Sequence, residues 1–180
     1  PPTMLSLARE DQVVYVSSFS KTVCPGIRVG YLVGPEHLIA RIAKLATNTY
    51  ISPSMVAQSI VNEFCRGGAY ERSIERVKQA LRARAEALCN ALADRIPEAR
   101  FVAPQGGYFL WVEMPPGFDS DALARAAAER GVAIVKGTDF FLEGGEHTFR
   151  LAYSAVGVEQ IEEGVARLAD AVRSLGGVAA

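Results

Sequence analysis

One short apolar run near the start of the chain constrains the fold more than any other feature. Residues 12–17 (QVVYVS) are mostly β-branched or apolar and contain no charge. Such a run is typical of a strand that is buried on both faces, as in a parallel sheet. The strand therefore requires a sheet, which this chain or another part of the protein must supply.

Strands and helices alternate along the rest of the chain. A second strand is predicted at residues 28–33, and helices follow at residues 36–46 and 54–64. From Tyr70 to Pro97, apolar side chains recur at steps of three and four residues, which predicts one long amphipathic helix. The pattern beyond it predicts strands at residues 107–113, 132–135 and 148–154, a helix at residues 120–130 capped by Asp119 or Ser120, and a last helix from Val158 to Leu175. The fold class is α/β.

Charge and cysteine content exclude several functional classes. The 19 basic and 20 acidic residues are mixed along the chain and give a formal net charge of -1, so no basic face for nucleic acid is expected. The three cysteines lack a C-x-x-C pair, which argues against a disulfide framework or a metal site and favours a reduced cytoplasm. No apolar run reaches the roughly 20 residues that span a bilayer, so we expect no membrane insertion.

The polar segment between the first two strands carries the chemistry. It reads SSFSKTVCPGIRVGY from residue 17 to residue 31 and places Lys21 just after a strand, at the edge where open α/β sheets bind ligands. A lysine amine condenses reversibly with an aldehyde cofactor, and Ser18, Ser20 and Arg28 could together hold a phosphate. Taken singly, each has a plainer interpretation: a solvated lysine, turn-capping serines and a surface arginine.

The joint spacing S-x-S-K-T-x-x-P-G-x-R-x-G-Y, beginning at Ser18, resembles the cofactor-lysine signature of fold-type-I pyridoxal-phosphate enzymes of the class I/II aminotransferase family. The resemblance is nearest to the 2-aminoadipate and MocR-like branch. It implies that Lys21 binds pyridoxal 5'-phosphate and moves a proton between the substrate Cα and the cofactor. It also implies that Ser18 and Arg28, with Ser20, hold the cofactor phosphate.

The resemblance covers nearly the whole chain, and it implies an architecture. Residues 1–69 correspond to the end of the large cofactor-binding domain, with the last part of its parallel sheet and a linker helix. Residues 70–180 correspond to the small C-terminal α/β domain. Relatives complete their sites across a homodimer, and their substrates are an amino acid and a 2-oxo acid.

Two more residues are candidates for substrate binding. In residues 148–154 (TFRLAYS), strand alternation places Arg150 on one face with Ala152 and Ser154, which predicts small neighbours and room for a ligand. By resemblance, Arg150 binds the substrate α-carboxylate through a bidentate pair; the plainer interpretation is an arginine that reaches solvent. Gly107 either lets the backbone approach the substrate, as the resemblance implies, or forms a turn at the entry of its strand.

The chain also departs from the family pattern. Many relatives carry Pro-Gly where this chain has Lys136-Gly137, so we expect the turn toward the active site to differ. The ring-stacking aromatic, the asparagine at the ring hydroxyl and the aspartate at the pyridinium nitrogen would all precede this start. The chain is therefore interpreted as part of a longer protein, and the 180 residues alone are expected to be catalytically poor.

Three functions remain open for the complete protein. Transamination is the first. A β-lyase or decarboxylase of the same fold is the second, because one cofactor site supports several bond cleavages. The third is a ligand-sensing domain of a GntR/MocR-type transcription regulator, which would keep Lys21 and Arg28 but carry a DNA-binding module upstream.

Overall fold

The structure is a computed structural model that describes residues 2–9 and 11–176. The chain divides into two units, Pro1–Arg76 and Val77–Ala180.

The first unit contains a two-stranded sheet and three helices before the long helix begins. The short helix α1 (Met4–Leu7) starts behind Thr3, whose side chain accepts a hydrogen bond from the Ser6 backbone. Strands β1 (Tyr15–Ser18) and β2 (Gly30–Val33) pair antiparallel, with Tyr15 opposite Val33 and Ser18 opposite Gly30. Helices α2 (Glu36–Thr49) and α3 (Met55–Arg66) follow, and the Ser54 hydroxyl caps α3.

The first strand differs from its prediction in two respects. It begins at Tyr15 rather than at residue 12, and its described partner is the antiparallel β2, not a parallel strand. Its side chains alternate between half-buried and exposed, and Val16 is 69% exposed. Within the described residues β1 is therefore not buried on both faces, because two antiparallel strands cannot enclose an apolar strand. Burial on both faces would need further strands from another part of the protein, and it stays a prediction.

The second unit is a four-stranded antiparallel sheet with helices on one face. Helix α4 (Ala69–Arg95) leads into it from the first unit. The strands are β3 (Arg100–Phe101), β4 (Phe109–Glu113), β5 (Val135–Lys136) and β6 (Thr148–Ala152), in the spatial order β3-β4-β6-β5. Helix α5 (Ser120–Glu129) connects β4 to β5, and helix α6 (Val158–Ser174) ends the described chain.

Strand alternation decides which side chains enter the core of this unit. Leu110 and Val112 of β4 and Phe149 and Leu151 of β6 are buried with the apolar faces of α4, α5 and α6. The helices contribute Leu88, Leu92, Leu123, Ala127, Val165 and Leu168, among others. The residues between the buried positions, including Arg150, stand on the opposite face of the sheet. Arg150 therefore lies on the face of the sheet that points away from the core.

Most predicted elements of this unit lie within a few residues of their observed bounds. Strand β5 is the exception, since the sequence predicts it at residues 132–135 and it pairs only at Val135–Lys136. Gly131 adopts φ 77° after α5, and the Val132 amide donates to the Ala127 carbonyl oxygen. These residues complete the helix end rather than the sheet, so β5 starts later.

None of the described helices combines the length and the apolar composition that a membrane crossing would require.

Candidate functional site

The loop between β1 and β2 folds back on itself directly after Ser18. The Phe19 amide donates to the Val29 carbonyl oxygen at 2.9 Å, and the Phe19 carbonyl oxygen accepts from the amides of Thr22 and Val23. These bonds bring the two ends of the loop together. Residues eight positions apart, Ser20 and Arg28, thereby become neighbours.

The Arg28 guanidinium donates a hydrogen bond of 3.3 Å to the Ser20 hydroxyl oxygen. Arg28 also has φ 52°, in the left-handed region that non-glycine residues seldom adopt. A strained backbone of this kind costs on the order of 1 kcal/mol and is concentrated at ligand-binding sites. The turn thus places a cation and a hydroxyl side by side.

Lys21 lies in the turn immediately after Ser20 and is exposed. Ser18 is the last residue of β1, and it is also exposed. The Phe19 ring between these positions packs against Tyr31 at 5.2 Å and against Tyr70 at 6.1 Å between centroids. Because this aromatic contact anchors the loop, Lys21 is held on an ordered turn at the end of a strand, together with Ser20 and Arg28.

In the second unit, Arg150 is surrounded by aromatic rings rather than by small residues. Its guanidinium carbon lies 4.1 Å from the ring centroid of Phe109 and 4.6 Å from that of Phe140. Its partners across the sheet are Trp111 on β4 and Val135 on β5. The prediction of small neighbours is wrong, because it rests only on residues of the same strand, whereas sheet register determines which side chains approach from the adjacent strands.

Gly107 lies in the loop that enters β4 and has φ 92°. A Cβ at this position would meet nothing within 4 Å, so the glycine is required by its backbone angle and not by lack of space. Its carbonyl oxygen accepts a 3.0 Å hydrogen bond from the hydroxyl of Tyr153, which is 1% exposed. Burial raises the pKa of Tyr153, so the phenol stays protonated and donates this bond.

The turn at Lys136-Gly137 keeps a backbone that proline could also adopt, since Lys136 has φ -66°. The Lys136 ammonium pairs with the Asp121 carboxylate of α5 at 2.5 Å. Hydrogen bonding with Lys136 lowers the pKa of Asp121, and the same bond raises the pKa of Lys136. Lysine at this position therefore ties the turn to the start of α5, which a proline could not do.

Gly137 is the point where this turn meets strand β6. A Cβ on Gly137 would lie 1.9 Å from the Thr148 hydroxyl oxygen and 2.5 Å from the Gly145 carbonyl oxygen. The Phe140 amide in turn donates to the Gly137 carbonyl oxygen at 2.8 Å. Close packing at Gly137 and this hydrogen bond therefore hold the backbone of the turn that carries Phe140.

Sequence reasoning missed the aromatic residues around Arg150. Phe109 and Trp111 occupy alternate positions of β4, and this spacing puts them on the face opposite Leu110 and Val112. That alternation is visible in the sequence as two aromatics on the polar face of a strand. Phe140 has no such signal, since it reaches Arg150 through a turn.

Among residues 2–9 and 11–176, no group of three or more His, Cys, Asp or Glu side chains is arranged to hold a metal ion.

Comparisons with known proteins agree with these features. The model of the family "Aminotransferase class I and II" matches residues 1–168. A 2-aminoadipate transaminase of Thermus thermophilus is 38% identical over 97% of this chain and 45% of its own length. An uncharacterized HTH-type transcriptional regulator of Bacillus subtilis, YdfD, is 30% identical over 97% of this chain and 36% of its own length.

The fold matches solved aminotransferase structures as well. The alpha-aminoadipate aminotransferase LysN of Thermus thermophilus, complexed with N-(5'-phosphopyridoxyl)-L-leucine, superposes with a TM-score of 0.90 at 35% identity, over 99% of this chain and 47% of that chain. The chain thus spans less than half the length of these relatives. With its α/β fold and a family match over residues 1–168, the chain belongs to the class I and II aminotransferases.

Proposed function

We propose that the complete protein transfers an amino group from an amino acid to a 2-oxo acid, with pyridoxal 5'-phosphate as its cofactor. The observation that carries the proposal is the Arg28–Ser20 hydrogen bond on the turn that presents Lys21. Family membership supports it, as does the phosphopyridoxyl ligand of the Thermus structure.

The residues of the β1–β2 loop fit such a cofactor. A guanidinium offers forked donors to phosphate oxygens, and hydroxyl groups add short hydrogen bonds. We assign Arg28, Ser18 and Ser20 to the phosphate. The strained backbone of Arg28 supports this assignment, since the turn holds a cation in place before any anion binds.

We assign covalent attachment and proton transfer to Lys21. Its amine would hold the cofactor at the aldehyde carbon, and the bound cofactor would supply an electron sink that weakens the bonds to the substrate Cα. Lys21 would also serve as the base that accepts the Cα proton and returns it at another position. An exposed position on an ordered turn suits a side chain that must change partners in each cycle.

In the second unit, we assign the substrate α-carboxylate to Arg150 and a backbone approach to Gly107. No described residue accepts a hydrogen bond from the buried Arg150 Nε, and the side chain is only half-buried. An arginine whose donors are not consumed within the protein is suited to binding a carboxylate. The left-handed backbone at Gly107 favours glycine, which leaves the backbone without a side chain at this position of the loop.

Several properties of the complete protein belong to the same proposal. We assign residues 1–69 to the large cofactor-binding domain and residues 70–180 to the small domain. A homodimer is proposed because it is typical of the family. We also place the protein in the cytoplasm, which the three free cysteines support.

A second candidate is a ligand-sensing domain of a transcription regulator. The 30% identity to the Bacillus subtilis HTH-type regulator favours it specifically. Such a domain would bind the same cofactor without sustained turnover. A DNA-binding module encoded upstream of these residues would support the interpretation as a transcription regulator.

The experiment is to compare the complete protein with its Lys21→Ala variant, with Lys44→Ala as the matched control from an exposed helical position. We expect Lys21→Ala to lose borohydride-stable attachment of the cofactor and the control to keep it. In the unaltered protein, an amino acid should change the cofactor absorbance and a 2-oxo acid should restore it. Release of ammonia or CO2 would instead indicate a lyase or decarboxylase, and attachment that survives in Lys21→Ala would refute the lysine assignment.

A further inference from the structure

Four aromatic side chains form an exposed patch on the face of the sheet that carries Arg150. This aromatic patch consists of Phe109, Trp111, Phe140 and Phe141, which are 44%, 36%, 47% and 49% exposed. Trp111 meets Phe140 edge-on at 5.3 Å and Phe141 at 5.9 Å between centroids. Aromatic side chains that stay this exposed gain little from burial, so their clustering on one face requires another reason.

The patch holds the Arg150 guanidinium through ring faces. The guanidinium carbon lies over the rings of Phe109, at 4.1 Å, and of Phe140, at 4.6 Å. These distances are within the range at which a cation is attracted by the negative face of an aromatic ring. Within the described residues, no acceptor bonds to Arg150 Nε and no Asp or Glu forms an ion pair with Arg150.

Ring faces and carboxylates hold an arginine in different ways. A carboxylate would occupy the in-plane N–H donors and neutralise the charge, and it would then compete with any incoming anion. A ring stacked on the guanidinium contacts the flat face and leaves the in-plane donors available. Aromatic contacts therefore orient the cation without consuming its capacity to bind a carboxylate.

We propose that Phe109 and Phe140 are positioning residues, which hold Arg150 in the orientation that binds the substrate carboxylate. This inference rests on the carboxylate role of Arg150 in the proposed function and adds the residues that set its affinity. A long side chain that is ordered before binding loses less entropy when the carboxylate arrives. Trp111 and the close packing of Gly137 in turn hold the Phe140 ring and its loop.

The test uses the complete, cofactor-loaded protein with Phe109→Leu and Phe140→Leu, which remove a ring and keep an apolar side chain. Phe141→Leu is the matched control, because Phe141 belongs to the patch and contacts Trp111 but has no contact with the Arg150 guanidinium among those described. Phe140→Tyr is the conservative variant that retains the ring. Each is measured in steady-state kinetics and in calorimetric binding of hexanoate, a carboxylate that cannot react.

We expect the KM for the amino acid and the Kd for hexanoate to rise about tenfold in each Phe→Leu variant, with kcat changed by less than about twofold. Tenfold corresponds to about 1.4 kcal/mol, within the range of a partly desolvated cation–π contact. For Phe140→Tyr and Phe141→Leu, the KM for the amino acid and the Kd for hexanoate should stay close to those of the unaltered protein. In an Arg150→Gln background, the Phe→Leu substitutions should have no further effect, because the cation that they position is gone.

Three results would overturn the inference, and only the last would also reject the carboxylate role in the proposed function. If Arg150→Gln raises KM while the Phe→Leu variants do not, the positioning role is wrong and the carboxylate role stands. Equal effects of Phe→Leu with and without Arg150 would show that the rings contact the ligand directly, and would also reject positioning. An Arg150→Gln variant with unchanged KM would reject the carboxylate role itself, and the inference with it.

Discussion

Arg28 and Ser20 lie side by side on the β1–β2 loop, where the guanidinium donates a 3.3 Å hydrogen bond to the hydroxyl oxygen while the Arg28 backbone sits at φ 52°. They are eight positions apart in the chain, and the hydrogen bond from the Phe19 amide to the Val29 carbonyl oxygen brings the two ends of the loop together. The pair combines the positive charge of the guanidinium with a hydroxyl group that can donate a short hydrogen bond. This combination suits a phosphate.

Substitution of Arg28 should therefore weaken cofactor binding. We expect Arg28→Gln in the complete protein to raise the Kd for pyridoxal 5'-phosphate by roughly tenfold to a hundredfold, because a hydrogen bond to a charged group contributes about 1.5–3 kcal/mol. Titration of the cofactor-free protein, followed by cofactor absorbance, measures this. Arg41→Gln, at an exposed position of α2, is the control and should leave the Kd unchanged. Equal Kd values for the two variants would refute the assignment of Arg28 to the cofactor phosphate.

The Tyr153 hydroxyl should support the loop that contains Gly107. Tyr153→Phe removes the 3.0 Å bond to the Gly107 carbonyl oxygen and keeps the buried ring. We expect a loss of about 1 kcal/mol in the free energy of unfolding, the usual contribution of one such bond. Urea denaturation measures it, and Tyr50→Phe, whose residue is 60% exposed, should show no change. An equal loss in the free energy of unfolding for both variants would mean that the hydrogen bond to Gly107 is not the source of the loss.

Gly137 and Gly164 should respond in opposite directions to alanine. Gly137→Ala would place a Cβ 1.9 Å from the Thr148 hydroxyl oxygen, so we expect about 3 kcal/mol of destabilisation from overpacking. Gly164 lies in α6 with nothing within 4 Å of a built Cβ, and Gly164→Ala should stabilise the protein by about 0.5–1 kcal/mol. Thermal and urea unfolding of both variants provide the comparison. A Gly137→Ala variant as stable as the unaltered protein would contradict the packing described at that turn.

The Lys136–Asp121 pair should make a contribution to stability that depends on pH. The pKa of Asp121 is lowered from its ordinary value of 3.8, so its contribution is present above that value and is lost as pH falls through the lower pKa of the folded protein. The pKa of Lys136 is raised from 10.5, so its contribution is present below that value and is lost as pH rises through the higher pKa of the folded protein.

Melting temperatures of the unaltered protein and Asp121→Asn across pH test this prediction. We expect the difference between them to be nearly constant from about pH 5 to pH 9 and to narrow under more acidic conditions. In a Lys136→Met background, Asp121→Asn should have a much smaller effect at every pH, because the main partner is gone. A difference that does not narrow in acid would argue against the ion pair as its source.

The sequence alone predicts most of the order of strands and helices, although it misses α1 and the short strand β3, and it groups the polar side chains of the β1–β2 loop. Periodicity decides whether a segment is helix or strand, and helix α4 and strand β4 carry strong periodic patterns. The lysine, serines and arginine of the loop lie close together in one short segment, residues 18–28, so spacing along the chain is enough to group them. The family match supports the grouping, while the role of each residue stays a prediction.

Only the tertiary structure decided which side chains contact each other between segments that are distant in the sequence. No local pattern indicated that Phe140 would reach Arg150 or that Lys136 would pair with Asp121, because sheet register and the close contact at Gly137 bring them together. The burial predicted for β1 stays a prediction for a related reason, since burial depends on which other strands cover it. Local propensity is encoded over a few neighbouring residues, whereas burial and contacts across a sheet depend on segments that the chain brings together only when it folds.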